Sequence, residues 1–295
     1  MPTFTLNQRP AMLALYVRCV LPKPGLKKGQ NLPEMAAHWP EAHANVSQVA
    51  AYRAVCGIAD EPSLPLLYPY VLTSPVQMSL IARRDFPLKP LGVVHVRNHV
   101  LQHRPILPAE TMEVHSRIAA SRVAKQGLEF DIATLIHSGG ERVWECLSAY
   151  LTRGNFGEPD PAPASSRLPE LTAIETETVW QVPANMGRRY ARVSGDYNVI
   201  HVSNLLARLF GFRGAIIHGM WSAAKCLASL PPWTADGPLS YLVAFKGPIP
   251  IGSRVVMKSQ STANGRRFDV FCKDNPRPCI SGAVEKVAPG THLVE

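Results

Sequence analysis

Residues 190–207 read YARVSGDYNVIHVSNLLA and form the most informative stretch of the chain. Asp196 follows a glycine in this stretch, and His201 lies five residues further on. An acid and an imidazole at this spacing can converge on one water molecule. A histidine titrates near neutral pH, and desolvation can raise the pKa of a carboxyl group towards it, so both groups can move protons. The pattern therefore indicates a proton-transfer site.

The same stretch resembles the signature of the MaoC-like, R-specific enoyl-CoA hydratases. That signature has an aromatic residue, a short gap and an aliphatic residue, then Ser-Gly-Asp-x-Asn-Pro-aliphatic-His and a small residue six positions later. The residues that match it are Tyr190, Val193, Ser194, Gly195, Asp196, Asn198, Ile200, His201 and Ala207. Val199 stands where the family usually has proline, which leaves the turn less rigid but removes no functional group.

Two further segments extend the resemblance over most of residues 175–285. Residues 217–220 (IHGM) resemble the start of the family's central helix, and residues 245–252 (FKGPIPIG) resemble the strand and turn that follow. The first half of the chain resembles, less specifically, the non-catalytic domain of two-domain relatives. The resemblance implies an α+β double hot-dog fold, in which two antiparallel sheets each wrap a central helix.

The residues themselves contain an internal repeat. Residues 190–195 (YARVSG) match residues 52–57 (YRAVCG), and residues 248–257 (PIPIGSRVVM) match residues 105–114 (PILPAETMEV). The two matches occur in the same order, and each is followed by sequence typical of strands. A duplicated unit is the better explanation, and a repeat sets the architecture of the chain.

A segment rich in proline, alanine and serine separates the two copies. Residues 155–169 have no periodic apolar pattern and are predicted to be a linker. It divides the chain into a first hot-dog domain (1–154), expected to support the substrate without catalysis, and a catalytic MaoC-like domain (170–295). In each, a helical piece is predicted first, centred on residues 78–83 or 220–230. Strands with alternating apolar residues follow it.

The resemblance also implies a reaction and a set of site residues. Asp196 and His201 would hold a water molecule against C3 of a trans-2-enoyl thioester. One of them would deprotonate it, and the protonated partner would deliver a proton to C2. Asn198 would support the loop or the water, and the N–H of Gly219 would bind the thioester carbonyl. His218 would either join the site or hold a loop. The chemistry needs no metal ion and no cofactor.

Two other functions remain open, because a fold does not determine an activity. The hot-dog fold also hosts acyl-CoA thioesterases, which use a carboxylate and water without this spacing of Asp, Asn and His. A catalytically inactive acyl-binding module is the third reading, which Val199 leaves open. Ser194 is expected to be structural, because its flanks lack the Gly-x-Ser-x-Gly pattern of a nucleophile elbow.

Three histidines at four-residue spacing, His95, His99 and His103, suggest a metal site if they lie on a helix. The valines around them predict a strand instead. Residues four apart on a strand are roughly 13 Å apart, which is too far to share one ion. We therefore expect no metal site there.

Composition limits the partners. The formal net charge is +9, from 31 Lys and Arg against 22 Asp and Glu, which favours anionic partners. The basic residues are scattered as pairs and form no long run, so no nucleic-acid surface is expected. The expected partner is an acyl-CoA or acyl-carrier-protein thioester. A homodimer, the acyl chain, the choice of carrier and the direction of the reaction stay open.

Cysteine usage and hydropathy indicate the compartment. The six cysteines form no C-x-x-C pair, so they are expected to be buried thiols of a cytoplasmic protein. The apolar run at residues 11–21 is too short to span a membrane, which takes about 20 residues. We expect this run to be part of the fold and no membrane span.

The first half lacks the acid and the imidazole. Aligned on the repeat, Asp196 and His201 correspond to Ile58 and Ser63, and neither can move a proton in this chemistry. If residues 72–74 correspond to residues 217–219, which precede the central helix of the second half, the first half lacks seven residues between Gly57 and its own helix. That loss should open space for an acyl chain longer than crotonyl. Alternatively, the first half only replaces the partner subunit of an ancestral dimer.

We expect one active site per chain. Titration of the purified chain with a tight-binding inhibitor should end at one equivalent, because only the second half carries the acid and the imidazole. Two equivalents per chain would show that the first half is also catalytic.

Overall fold

The structure, a computed structural model, describes residues 2–161, 168–231, 237–272 and 275–294. Residues 162–167 of the predicted linker lie outside the described residues. The helices are α1 (Met12–Cys19), α2 (Val46–Cys56), α3 (Tyr68–Ala82), α4 (Met186–Ser194), α5 (Val199–Val202), α6 (Asn204–Leu209) and α7 (Gly219–Ser229). The strands are β1 (Thr3–Thr5), β2 (Ala36–Ala42), β3 (Val94–Gln102), β4 (Met112–Ala124), β5 (Gly127–Ser138), β6 (Glu141–Arg153), β7 (Thr176–Gln181), β8 (Leu239–Phe245), β9 (Arg254–Thr262), β10 (Gly265–Cys272) and β11 (Ile280–Lys286).

The strands of the described residues form one sheet in the order β1-β2-β4-β5-β6-β3-β8-β11-β10-β9-β7. The first half contributes β2-β4-β5-β6-β3, and the second contributes β7-β9-β10-β11-β8, which is the same order of elements. The two halves meet where β3 pairs antiparallel with β8, from Arg97 opposite Ala244 to Gln102 opposite Leu239. Two antiparallel sheets are thus joined edge to edge, and the short β1 adds to β2 in parallel.

One long helix packs in each half against the sheet. In the first half, α3 contacts β2, β4 and β5, and the buried Trp144 of β6 donates its Nε1–H to the carbonyl of Leu66, just before α3. In the second half, the buried Tyr241 of β8 donates its hydroxyl to the carbonyl of Ala223 in α7. The apolar side chains of both halves form one continuous core.

The sequence repeat is also a structural repeat. Residues 52–57 end α2, and residues 190–195 end α4. Each helix stops at a glycine in the left-handed region, Gly57 with φ 70° and Gly195 with φ 79°. A glycine there costs no Cβ clash and turns the chain out of the helix. The second match also leads into equivalent strands, β4 and β9.

The helical piece predicted at residues 78–83 is longer than expected and begins at Tyr68. Proline disfavours the interior of a helix, but α3 accommodates both Pro69 and Pro75. Pro69 lies in the first turn, where no N–H is needed. Pro75 frees the carbonyl of Val71, which accepts hydrogen bonds from Arg9 Nη2 (3.1 Å) and Ser74 Oγ (3.2 Å) instead.

Helix α3 begins earlier in its half than α7 does in the other. Residues 72–74, matched in the sequence with the segment before α7, lie inside α3. The connection between α2 and α3 is residues 57–67, whereas that between α4 and α7 is residues 195–218. Measured between helix ends, the first connection is therefore 13 residues shorter, and α5 and α6 lie in the extra length of the second.

The apolar run at residues 11–21 forms α1, as part of the fold. Leu15 and Cys19 are its buried side chains, and they pack beside Ala82 of α3. All six cysteines are buried and free, as predicted for thiols of this kind. Among the described residues, no helix has both the length and the apolar character that a membrane span requires.

Candidate active site

The loop after α4 positions the two predicted catalytic residues. Ser194 in the last turn donates its hydroxyl to the carbonyl of Tyr190 (2.8 Å) and accepts the N–H of Asp196 (3.1 Å), a structural role as expected. Asn198 caps α5 by accepting the N–H of Ile200, so it supports the loop. His201 lies on the short helix that this cap begins.

Val199 is the first residue of α5, where a helix needs no N–H donor. Proline is favoured at this position because its ring presets the backbone angle, but valine occupies it without losing a hydrogen bond. The departure from the family pattern therefore leaves the local structure intact.

The backbone determines the tautomer of His201. Its Nδ1 lies 2.9 Å from the carbonyl of Ile216, so Nδ1 carries the proton and donates it. The Nε2 lone pair is then free to accept a proton. Burial lowers the pKa of His201 below its ordinary value, although the Asp196 carboxylate acts in the opposite direction, so the ring is neutral at neutral pH.

Asp196 accepts two hydrogen bonds on Oδ1, from the hydroxyl of Tyr16 (2.7 Å) and the N–H of Asn198 (3.1 Å). Burial raises the pKa of Asp196, but the neighbouring His218 and His201 and these hydrogen bonds lower it by more. The net effect is a pKa below the ordinary value of an aspartic acid. The carboxylate is therefore ionised at neutral pH. Its side chain is 42% exposed, so it remains accessible from the cavity.

His218 holds the loop and also lines the site. Its Nε2 donates to the backbone carbonyl of Asp196 (2.9 Å), and its ring stacks on His201 at 3.9 Å. Burial, helped by the proximity of His201, lowers the pKa of His218 to about 3, so this ring stays neutral. Asp196, His201 and His218 bring potential metal ligands within 4.8 Å of one another. Each imidazole commits one nitrogen to a carbonyl, which leaves its other nitrogen able to accept a proton.

The start of α7 faces this group. Gly219 is the first residue of α7, and the preceding His218 gives the helix no side-chain cap. The first N–H groups of a helix have no acceptor within it, so they attract negative charge. A Cβ at Gly219 would lie 3.0–3.2 Å from the ring of Phe245, which explains why a glycine stands there.

Two residues that sequence analysis missed support the pair directly. Tyr16 reaches Asp196 from α1, 180 positions away in sequence. Burial and the Asp196 carboxylate raise the pKa of Tyr16, so its hydroxyl keeps the proton that it donates. Gly187 in α4 packs on the backbone of His201, because a Cβ there would lie 2.0 Å from the His201 carbonyl oxygen. The only signal for Gly187 is a glycine inside a helix, and nothing in the sequence links Tyr16 to the motif.

A cavity of about 540 Å³ joins this group to the first half. Asp196, Asn198, His201, His218 and Gly219, the five predicted site residues, all line it.

The wall from the first half contains His95, stacked on Tyr150 at 4.8 Å and on Tyr70 at 5.7 Å. Burial lowers the pKa of His95 to about 4, so it is neutral. The hydroxyls of Tyr70 and Tyr150 lie 3.3 Å apart, and Tyr150 donates to Gln77 Oε1 (3.0 Å). The sequence placed His95 on a strand but did not reveal this role.

The three histidines of β3 and its end do not meet. His99 contacts Ser240 Oγ through Nε2 (2.8 Å), and His103 contacts Glu145 Oε1 (2.8 Å). The strand interpretation is confirmed, and no shared ion is built from these three residues.

The chain is similar to known proteins along most of its length. Residues 170–277 match the family model of the MaoC like domain. The 3-hydroxyacyl-thioester dehydratase X of Mycobacterium tuberculosis is 35% identical over 230 residues, which cover 77% of this chain and 80% of that protein. The crystal structure of HtdX from Mycobacterium tuberculosis matches with a TM-score of 0.74 at 29% identity, and covers 85% of this chain and 100% of that one.

A further solved structure, of a protein from Mycobacterium tuberculosis described as having a double hotdog fold, has a TM-score of 0.57. At 15% identity, covering 88% of this chain and 96% of that one, it supports the fold alone. The chain belongs to the MaoC-like dehydratase family, and its fold is the double hot dog. Both agree with the prediction from the sequence.

Tyr16→Phe should lower kcat for an enoyl thioester by roughly tenfold with little change in KM, because a hydrogen bond to a charged group contributes about 1.5–3 kcal/mol. The change removes only the hydroxyl that orients Asp196. Steady-state kinetics beside the matched variant Tyr197→Phe, whose side chain is exposed, would measure it. Equal kcat values for the two variants would contradict the positioning role of Tyr16.

Proposed function

We propose that this chain catalyses the reversible hydration of trans-2-enoyl thioesters to R-3-hydroxyacyl thioesters, with Asp196 and His201 as the catalytic pair. The observation that carries the proposal is the pairing of an ionised carboxylate with a neutral imidazole of known tautomer, on one cavity wall. The similarity to a 3-hydroxyacyl-thioester dehydratase over 77% of the chain supports the same chemistry.

Water activation follows from the two protonation states. The water donates one hydrogen bond to the carboxylate of Asp196 and one to Nε2 of His201. His201 takes a proton from the water as its oxygen bonds to C3 of the enoyl group. The imidazolium that forms is stabilised by the carboxylate, and it is held in place by the hydrogen bond from Nδ1 to Ile216.

Charge on the substrate moves to the thioester oxygen. As the C3–O bond forms, the electron pair of the double bond shifts towards C2 and the carbonyl, producing an enolate. The N–H of Gly219 at the start of α7 stabilises that oxygen, where donors fixed in advance contribute most. His201 then returns its proton to C2 on the face from which water arrived. One water is added in total, and the enzyme regains its starting state.

The first half supports the acyl chain. Its residues Tyr70, His95, Tyr150 and Met78 line the same cavity as the catalytic pair. We propose that acyl chains longer than crotonyl enter here, since each buried CH₂ contributes about 0.8 kcal/mol. Lys246 and Arg153 also line the cavity, and their charges suit the phosphate groups of CoA or of an acyl-carrier-protein arm.

Loss of enoyl absorbance without release of free thiol, measured on CoA thioesters from four carbons upward, would test the reaction. Asp196→Asn and His201→Ala should each reduce kcat by about 10²- to 10⁴-fold, because His201 moves the proton and the Asp196 carboxylate holds the water and stabilises the imidazolium. Asp60→Asn and His43→Ala are matched controls on exposed residues. The R configuration is checked by chiral separation of the product.

Other outcomes of this assay would indicate a different function. Release of free thiol would mean a thioesterase, and no reaction with any chain length would mean an acyl-binding module. Near-normal kcat in either site variant, or an S product, would contradict the assigned residues or geometry.

The pH dependence of kcat/KM follows from His201. Its neutral form is the base, so activity is present above its pKa and is lost as the pH falls through it. Because burial lowers that pKa, the acid limb should lie below pH 6.5, and the rate should be flat at neutral pH. A rate profile from pH 4.5 to 8 would measure this. An acid limb above pH 6.5 would contradict a buried neutral His201.

A further inference from the structure

A second group of titratable side chains lies on the outer face of the first half. Along β4, Met112 and Val114 are buried in the core, so Glu113 and His115 point to the other face. On the neighbouring strand β2, His38 is directly opposite His115 in the antiparallel register. Side chains two apart on one strand and directly opposite on the next are close neighbours.

The three side chains converge on one point. Nε2 of His38 lies 2.8 Å from Oε1 of Glu113, and Nε2 of His115 lies 3.0 Å from the same oxygen. One potential ligand atom from each lies within 4.8 Å of the others. The His38 and His115 rings stack at 4.3 Å with nearly parallel planes. The side chains are 24%, 45% and 43% exposed for His38, Glu113 and His115, so solutes can reach them.

The carboxylate carries the charge that such a group needs. Burial raises the pKa of Glu113, but the hydrogen bonds from His38 and His115 lower it below its ordinary value. Two imidazole nitrogens and one carboxylate oxygen are ligands that Zn²⁺ prefers, at about 2.0–2.2 Å each. Ligand atoms around a tetrahedral ion are roughly 3.3 Å apart. The observed separations of 2.8 and 3.0 Å lie close to that value, and the stacked His38 and His115 rings must rotate out of their parallel planes so that both Nε2 lone pairs meet one ion.

We propose that His38, Glu113 and His115 form a binding site for a divalent transition-metal ion, with Zn²⁺ as the best fit and water in the fourth position. None of these three residues lines the catalytic cavity, so the site is separate from the hydratase chemistry.

A similar group nearby lacks the conditions for a cation. Glu145 is fully buried, and its Oε1 contacts His103 and His292, but the Arg142 guanidinium lies 3.4 Å from that oxygen and 3.2 Å from His292 Nδ1. A metal ion would be repelled by this fixed positive charge. The other carboxylate oxygen accepts the N–H groups of Leu293 and Val294, so Glu145 holds the chain segment at residues 292–294.

The metal ion would bind only to the folded chain. Its ligands come from two strands that pair in the sheet, and the unfolded chain separates them by more than 70 residues. A ligand that binds only the folded state stabilises it by mass action. Zn²⁺ should therefore raise the melting temperature of the original chain at pH 7.5.

Isothermal titration of the metal-free full chain with Zn²⁺ at pH 7.5 tests the proposal. The original chain should bind one equivalent of Zn²⁺. His38→Ala and His115→Ala should each abolish this binding or weaken it at least about tenfold. His43→Ala, which removes an exposed histidine one residue after β2, should bind like the original chain. Co²⁺ titration adds a spectroscopic check, because a tetrahedral site with nitrogen ligands gives visible absorption that His115→Ala should lack.

Stoichiometry and affinity that are unchanged in both histidine variants would overturn the proposal and place any bound zinc elsewhere. Absence of zinc binding to the original chain would overturn it as well. Glu113→Gln removes the charge but keeps the shape, so it should weaken Zn²⁺ binding while the metal-free enoyl-hydration rate stays at the level of the original chain. That rate also shows that the variants are folded.

Discussion

The backbone hydrogen bonds between β3 and β8 are the interaction on which the rest of the molecule depends. They pair one of the two edges of each half-sheet and hold the two halves in a single register. As a result, His95 of β3 lies 5.1 Å from Phe245 of β8, and both line the catalytic cavity. A substrate site that needs walls from both halves exists only because these two strands pair.

Duplication of the fold did not duplicate the site. Both halves have the same order of strands, and both end a helix at a left-handed glycine, Gly57 or Gly195. Only the second half has a 24-residue connection between that glycine and its long helix. This connection carries Asp196 and His201, whereas the first half contributes a wall of aromatic and polar side chains. The same architecture therefore carries the candidate catalytic pair in one copy and a wall of the cavity in the other.

Within the site, the backbone does most of the positioning. The carbonyl of Ile216 sets the tautomer of His201, and the N–H of Asn198 binds the carboxylate of Asp196. Two glycines allow close approach, Gly187 under the backbone of His201 and Gly219 under the ring of Phe245. Backbone groups cannot change rotamer, so the side chains of Asp196 and His201 are held in one orientation, as the proposed proton transfer requires.

The sequence by itself determined the parts whose causes are local. The alternation of apolar residues predicted β3 and β8, and the motif around Asp196 and His201 identified the family. The start of α3 was predicted too late in the chain, and Pro75 is tolerated inside this helix because Arg9 and Ser74 bond the carbonyl that it leaves free. Tyr16, the His95 wall and the group of His38, Glu113 and His115 were decided by the tertiary structure alone. These contacts join residues between 75 and 180 positions apart, or side chains of different strands. Their distances depend on how the strands and helices pack, and no local pattern in the chain records that packing.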